Sequence, residues 1–204
     1  MENISNVLFW ISNGFLAPVI VGLIFLFLKS VFLLGGFYAQ YIQRRKVEHK
    51  IRPVFKELDF SRLGQLMEEL KEGKDLGNFV ELVRHIVEPG IGMAKINFMV
   101  SEYEISLDKD LSSPKILTKF GPILGLMGTL IPMGPALVGL SSGDIASMAH
   151  NMQVAFATTV IGLFCGGVGF VALHIRQRWN ARDMSRLDYI TELIEEETGY
   201  GKKA

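Results

Sequence analysis

Two stretches decide the reading of this chain. They are Phe120-Gly-Pro-Ile-Leu-Gly-Leu-Met-Gly-Thr-Leu-Ile-Pro-Met-Gly-Pro-Ala-Leu-Val-Gly-Leu140 and Val154-Ala-Phe-Ala-Thr-Thr-Val-Ile-Gly-Leu-Phe-Cys-Gly-Gly-Val-Gly-Phe-Val-Ala-Leu173, and neither contains Asp, Glu, Lys, Arg or His. Each is long enough to cross a bilayer, since roughly 20 apolar helical residues span ~30 Å of hydrocarbon. Their polar groups are hydroxyls, chiefly Thr129, Thr158 and Thr159. A helix pair of this kind can pack closely and line a narrow path. It has no carboxylate of its own to bind a proton, which points to one half of a two-part membrane machine.

The overall composition conceals this, because 21 basic and 21 acidic residues leave no net charge. Their placement is what matters. The first 28 residues carry only Glu2, and residues 141–153 carry only Asp144 among Asp, Glu, Lys and Arg. Apart from Lys29, the basic residues fall in 44–119 (14 of them) and 175–204 (6 of them). Lys and Arg flanking a span mark its cytosolic end. Arg44-Arg45-Lys46, Lys115 with Lys119, and Arg176 with Arg178 agree on one topology. The N-terminus is expected outside, and the C-terminus in the cytosol.

The first apolar stretch, Leu8–Leu28, continues after Lys29 through Ser30–Ile42. It reads as one long helix that spans and then projects inward, with Trp10 at the outer interface and Tyr38 and Tyr41 at the inner one. Lys29 either snorkels to the headgroups or pairs with an acid inside the bundle. No basic leader or small-residue cleavage site marks a signal peptide.

Between Lys46 and Lys119 the chain has helical, not strand, periodicity. Leu63, Leu66, Met67 and Leu70 form one stripe, backed by Glu68, Glu69 and Lys71. After a turn at Lys71–Asp75, a second stripe runs through Leu76, Phe79, Val80, Val83, Ile86 and Val87, and Glu88-Pro89-Gly90 ends it. A third apolar stretch covers Ile91–Ile105, and Ser112-Ser113-Pro114 is a helix start leading into the second span. In the tail, Ile190, Leu193 and Ile194 share one side, before Glu195-Glu196-Glu197 and a Gly/Lys end.

The expected fold is therefore an all-α membrane protein of three transmembrane helices with a long cytosolic helical extension. Residues 1–43 form the first span and its extension, 44–115 a cytosolic helical region, 116–174 the hairpin of spans two and three, and 175–204 a cytosolic helix or tail. The four histidines show no metal-ligand spacing and the single cysteine, Cys165, lies within a span, so neither metal nor disulfide is assigned. Matched acids and bases argue against nucleic acid. No phosphate loop, catalytic triad or dinucleotide fingerprint occurs, so neither a cofactor nor an enzymatic activity is expected.

Within the hairpin, Gly121/Gly125 and Gly162/Gly166 are spaced for close helix approach, with Gly128 adding to the first row. Pro132 and Pro135 free backbone carbonyls at membrane depth and shape their helix. The pair Leu-Gly-Leu-Met-Gly-Thr (124–129) and Ala-Phe-Ala-Thr-Thr-Val-Ile-Gly-Leu (155–163), in this order and topology, resembles the MotA/TolQ/ExbB proton-channel family. The three-span, N-out layout resembles its TolQ/ExbB branch. Three departures stand out: Val154 occupies the place of a family Glu, Val168 that of a family proline, and Pro132 and Pro135 are unusual for the ExbB type.

The resemblance implies a pentamer in the cytoplasmic membrane around a pore that holds helices of an ExbD/TolR-like single-span partner. That partner's membrane Asp would carry the proton. It further implies Thr129 and Thr159 as ion-path residues, with Thr158, Pro132 and Pro135 in secondary roles and Gly125, Gly128, Gly162 and Gly166 as packing residues. The competing reading is an oligomeric membrane scaffold that docks a partner without ion flux.

Overall fold

A proline near the N-terminus sets the first break in the chain. In the computed structural model, which describes residues 2–56, 77–87 and 90–198, α1 (Glu2–Gly14) ends four residues before Pro18 and α2 (Leu16–Lys56) begins around it. Pro18 has no N–H for the Gly14 carbonyl, and its ring crowds that oxygen. The amide of Phe15 still reaches Ile11 O at 3.2 Å and Ser12 O at 3.1 Å, so the chain bends without unravelling. The expected single N-terminal helix is thus two helices meeting at Phe15.

Three further apolar-to-amphipathic helices and one short one complete the described residues: α3 (Gly77–Val87), α4 (Met93–Asp110), α5 (Ser112–Ser141) and α6 (Ile145–Thr198). Three helical runs, Asn6–Ile42, Met93–Ser141 and Ile145–Glu196, are long and apolar enough to cross a membrane. The Leu63–Leu70 stripe, the Lys71–Asp75 turn, Glu88-Pro89 and the terminal Gly/Lys segment lie outside the described residues.

The α4–α5 junction and the α5–α6 turn both have local causes. Pro114, in the first turn of α5, cannot donate to the Asp110 carbonyl, and Arg176 Nη1 donates to that oxygen instead at 3.0 Å. At the far end of α5, Asp144 N bonds Gly139 O at 2.8 Å and Gly143 N bonds Leu140 O at 3.2 Å. This paired closure needs a left-handed residue, and Gly143 supplies it with φ of 76°. Asp144 then caps α6, its Oδ1 accepting from Ser147 N at 2.9 Å.

The chain forms two compact units. The first comprises Met1–Gly35 and Ser112–His174; the second comprises Gly36–Leu111 and Ile175–Ala204. In the first, Val19 and Leu23 of α2 bury against Ile131, with Leu124, Met127 and Ile161 around them, and Leu26 buries against Leu117 and Cys165. In the second, the core joins Phe79, Val83 and Ile86 of α3, Ile96, Tyr103 and Leu107 of α4, and Leu187, Ile190 and Ile194 of α6. Burying such side chains contributes about 1.5–3 kcal/mol each.

The second unit also encloses a charge cluster. Asp183, 1% exposed, accepts from Arg44 Nη1 at 2.9 Å, and Arg186 stands 3.9 Å away. Arg186 also holds Glu48 at 2.8 Å. Burial pushes the Asp183 carboxyl above the usual carboxylate range, and the pull of Arg44 and Arg186 only partly opposes it. Tyr103 is raised too, by burial first and then by Asp183.

Removing one partner from such a pair leaves an uncompensated buried charge. Arg44→Leu should cost the second unit about 3–5 kcal/mol, while Arg44→Leu with Asp183→Leu should regain most of it. A carboxylate whose folded pKa is raised favours folding in its protonated form, so its contribution is full at low pH and fades as pH rises through the folded pKa. Without Arg44 that pKa rises further. The Arg44→Leu deficit should therefore shrink as pH falls from neutral toward the free-carboxylate range, as read by denaturant unfolding followed through Trp179 fluorescence.

Candidate functional site

The hairpin is held by backbone meeting backbone. A methyl placed on Gly162 would lie 2.6 Å from both Gly121 O and Gly125 Cα. One on Gly166 would meet the Pro122 ring at 2.8 Å, and one on Gly169 would meet Thr118 N at 2.6 Å. On the facing helix, Gly121, Gly125 and Gly128 form a matching row at spacings of four and three. Small residues at these positions let helices approach where lipid supplies no hydrophobic drive for association. Gly121 and Gly169 belong to these rows as fully as Gly125, Gly128, Gly162 and Gly166. The repeated spacing of 121/125/128 and 162/166/169 was the sequence signal for them.

This contact fixes the depth of the hydroxyls. A methyl on Gly128 would lie 2.6 Å from both Cβ and Oγ1 of Thr158, so Thr158 fills the notch that Gly128 leaves. Thr158 is 6% exposed, and its hydroxyl donates to Ala155 O at 2.9 Å. Thr129 lies one residue past Gly128 and Thr159 one residue past Thr158, on antiparallel helices. At 1.5 Å per residue the two threonines differ in depth by only about 3 Å.

Their direction follows from α2. Ile131 and Ile161 belong to the cluster that packs on Val19 and Leu23. Thr129 and Thr159 each precede one of these isoleucines by two residues, about 200° around a helix. Both threonines therefore stand on the flank of the hairpin that α2 leaves uncovered, and both are half-buried. Thr129 Oγ1 donates to Leu126 O at 2.7 Å, and Thr159 Oγ1 to Ala155 O at 3.0 Å. Each hydroxyl has donated its proton to its own helix and keeps acceptor capacity on oxygen.

The prolines divide in placement. Pro132 is buried and Pro135 is half-buried, and α5 continues through both. Neither can donate to the carbonyls four residues earlier, those of Gly128 and Ile131. Gly128 is thus doubly marked: its Cα receives Thr158, and its carbonyl lacks the usual amide donor. The Arg44–Asp183–Arg186–Glu48 cluster of the second unit had no place in the sequence-level site. Its faint signal was Asp183 between Arg182 and Arg186, an acid set among bases just beyond an apolar span.

These features define a multi-span helical membrane protein whose last two spans form an uncharged, glycine-packed hairpin with hydroxyls on one open flank. Residues 85–188, half of the chain, match the family model of the MotA/TolQ/ExbB proton channel family. The chain belongs to that family. The matched stretch contains both glycine rows and Thr129, Thr158 and Thr159. No curated protein and no solved structure matched the chain.

Close backbone contact leaves no room for a side chain. Gly162→Val should therefore lower the thermal stability of the detergent-solubilised protein by several degrees, consistent with the ~1–3 kcal/mol typical of overpacking. Gly167→Val, where nothing lies within 4 Å, is the control and should leave the transition nearly unchanged. Circular dichroism melting of both variants checks the difference.

Proposed function

We propose that this chain is the channel-forming subunit of a proton-motive-force-driven, energy-transducing complex, with Thr129 and Thr159 on the ion path. The observation that supports it most is their shared depth and shared flank in two spans, 120–140 and 154–173, that contain no Asp, Glu, Lys, Arg or His. Several copies, five by the family resemblance, turn that flank toward a common axis. A single-span partner of the ExbD/TolR kind enters there and supplies the titrating Asp. The flanking Lys and Arg support placing the chain in the cytoplasmic membrane with the N-terminus outside and the second unit in the cytosol.

The chemistry follows from the hydroxyl inventory. A hydroxyl has one donor and two acceptor sites. A protonated carboxyl on the partner can donate to Thr129 or Thr159 while each threonine keeps its helix bond. Once ionised, the carboxylate needs donors, and a threonine that swings its proton from the backbone carbonyl provides one. The threonines thus serve both charge states at the cost of a local rotation. Thr158, buried against Gly128, keeps the helices in register. Pro132 and Pro135 keep the Gly128 and Ile131 carbonyls open as further acceptors.

The three satisfied hydroxyls are the feature that favours a non-conducting scaffold, and one experiment separates the readings. The complex, purified with its partner and reconstituted in liposomes, should take up protons. Thr129→Val with Thr159→Val should slow uptake by about tenfold or more, equivalent to ~1.4 kcal/mol or more at the barrier. Native mass spectrometry should show the copy number and partner unchanged. Wild-type uptake by an intact double variant would remove the threonines from the path, and no uptake by the wild-type complex would favour the scaffold.

A further inference from the structure

A concave feature lies wholly within the second unit and has no part in the ion path. Arg44, Arg45, Arg182 and Arg186 line it with the rings of Tyr41 and Trp179. Glu48 and Asp183 also line it, so four guanidiniums face two carboxylates and positive charge is in excess.

The carboxylates act as fixtures. Arg44 commits Nη1 to Asp183 at 2.9 Å and Arg186 commits Nη2 to Glu48 at 2.8 Å. Arg182 reaches the same Glu48 at 3.6 Å while its side chain stays 53% exposed. A guanidinium has five N–H donors in a planar fork, so each anchored arginine retains donors for another acceptor. The aromatic rings hold the planes as well. Arg44 lies 5.1 Å over Trp179, Arg45 lies 5.7 Å over Tyr41, and Trp179 stacks on Phe37 at 5.5 Å. Pre-oriented forks in positive excess match a phosphate, which takes several charge-assisted bonds at once.

We propose that this pocket is a phosphate-binding site whose ligand is either the headgroup of an anionic phospholipid or a soluble phosphate, and the arms of the test below separate the two sources. It does not rest on ion conduction.

The test uses the full chain in detergent, with phosphatidylglycerol, phosphatidylcholine or inorganic phosphate added, read by native mass spectrometry and thermal melting. Arg45→Gln with Arg182→Gln removes pocket charge while leaving the buried Arg44–Asp183 pair intact. Lys95→Gln with Lys119→Gln removes equal charge from exposed positions elsewhere. Wild type and the lysine variant should retain phosphatidylglycerol, and the arginine variant about tenfold less, as expected for loss of one or more charge-assisted contacts. Phosphatidylcholine should be retained weakly by all. Stabilisation by millimolar inorganic phosphate, lost in the arginine variant, would keep the site and assign its source to a soluble phosphate. Undiminished lipid retention in a folded arginine variant, or equal retention of both lipids, would overturn it.

Discussion

The first unit depends on backbone-to-backbone contact between α5 and α6. In water, hydrophobic burial drives helices together; in lipid that drive is absent, and close packing and hydrogen bonds must replace it. Glycine rows on both helices bring Gly121, Gly125 and Gly128 onto Gly162, Gly166 and Thr158 so closely that an added methyl on Gly121, Gly128, Gly162 or Gly166 would overlap its neighbour. That contact fixes the register of the hairpin, and register sets the relative depth of the threonines. A slip of one turn would move Thr159 about 5 Å along the axis relative to Thr129. The packing device and the proposed ion path are therefore one arrangement.

Much of this was legible in the chain because exclusion of charge from hydrocarbon is a nearly absolute rule. The two uncharged stretches gave the spans, the glycine spacing gave the packed faces, and Ser112–Pro114 gave the start of α5. The bend at Phe15 shows where a local rule needed context. Pro18 is exposed near a helix start, and the helix breaks before it; Pro122 and Pro132 carry the same handicap inside an unbroken α5. The difference is support, since the Pro122 ring packs on Gly166 and Pro132 is buried. Periodicity cannot reveal that.

Two other features were out of reach for the same reason. The depth of Thr129 and Thr159 could be counted from the sequence, but their direction depends on which groove α2 occupies. That choice is made by Val19, Leu23 and Leu26 meeting residues roughly a hundred or more positions away. The Arg44–Asp183 pair spans 139 residues. Each residue alone reads as ordinary surface charge beside a membrane, and only tertiary packing turns Asp183 into a buried acid.

On the proposed function, the neutrality of the hairpin has a mechanistic consequence. A fixed charge in the sleeve, 4 Å from a partner carboxylate, would interact with it by about 4 kcal/mol at an effective dielectric of about 20. That would hold the carboxylate at one subunit and oppose its passage to the next. Hydroxyls bind more weakly and accept either protonation state, so successive copies present nearly equal stopping points. The energy for movement then comes from the change in charge of the mobile group, whose ionised form is costly at membrane depth. Val154, where the family resemblance sets a Glu, carries this further, because it leaves the whole of 154–173 without Asp, Glu, Lys, Arg or His. A sleeve of this kind steers its partner through hydrogen bonds and water access, and its own residues need not change charge during the cycle.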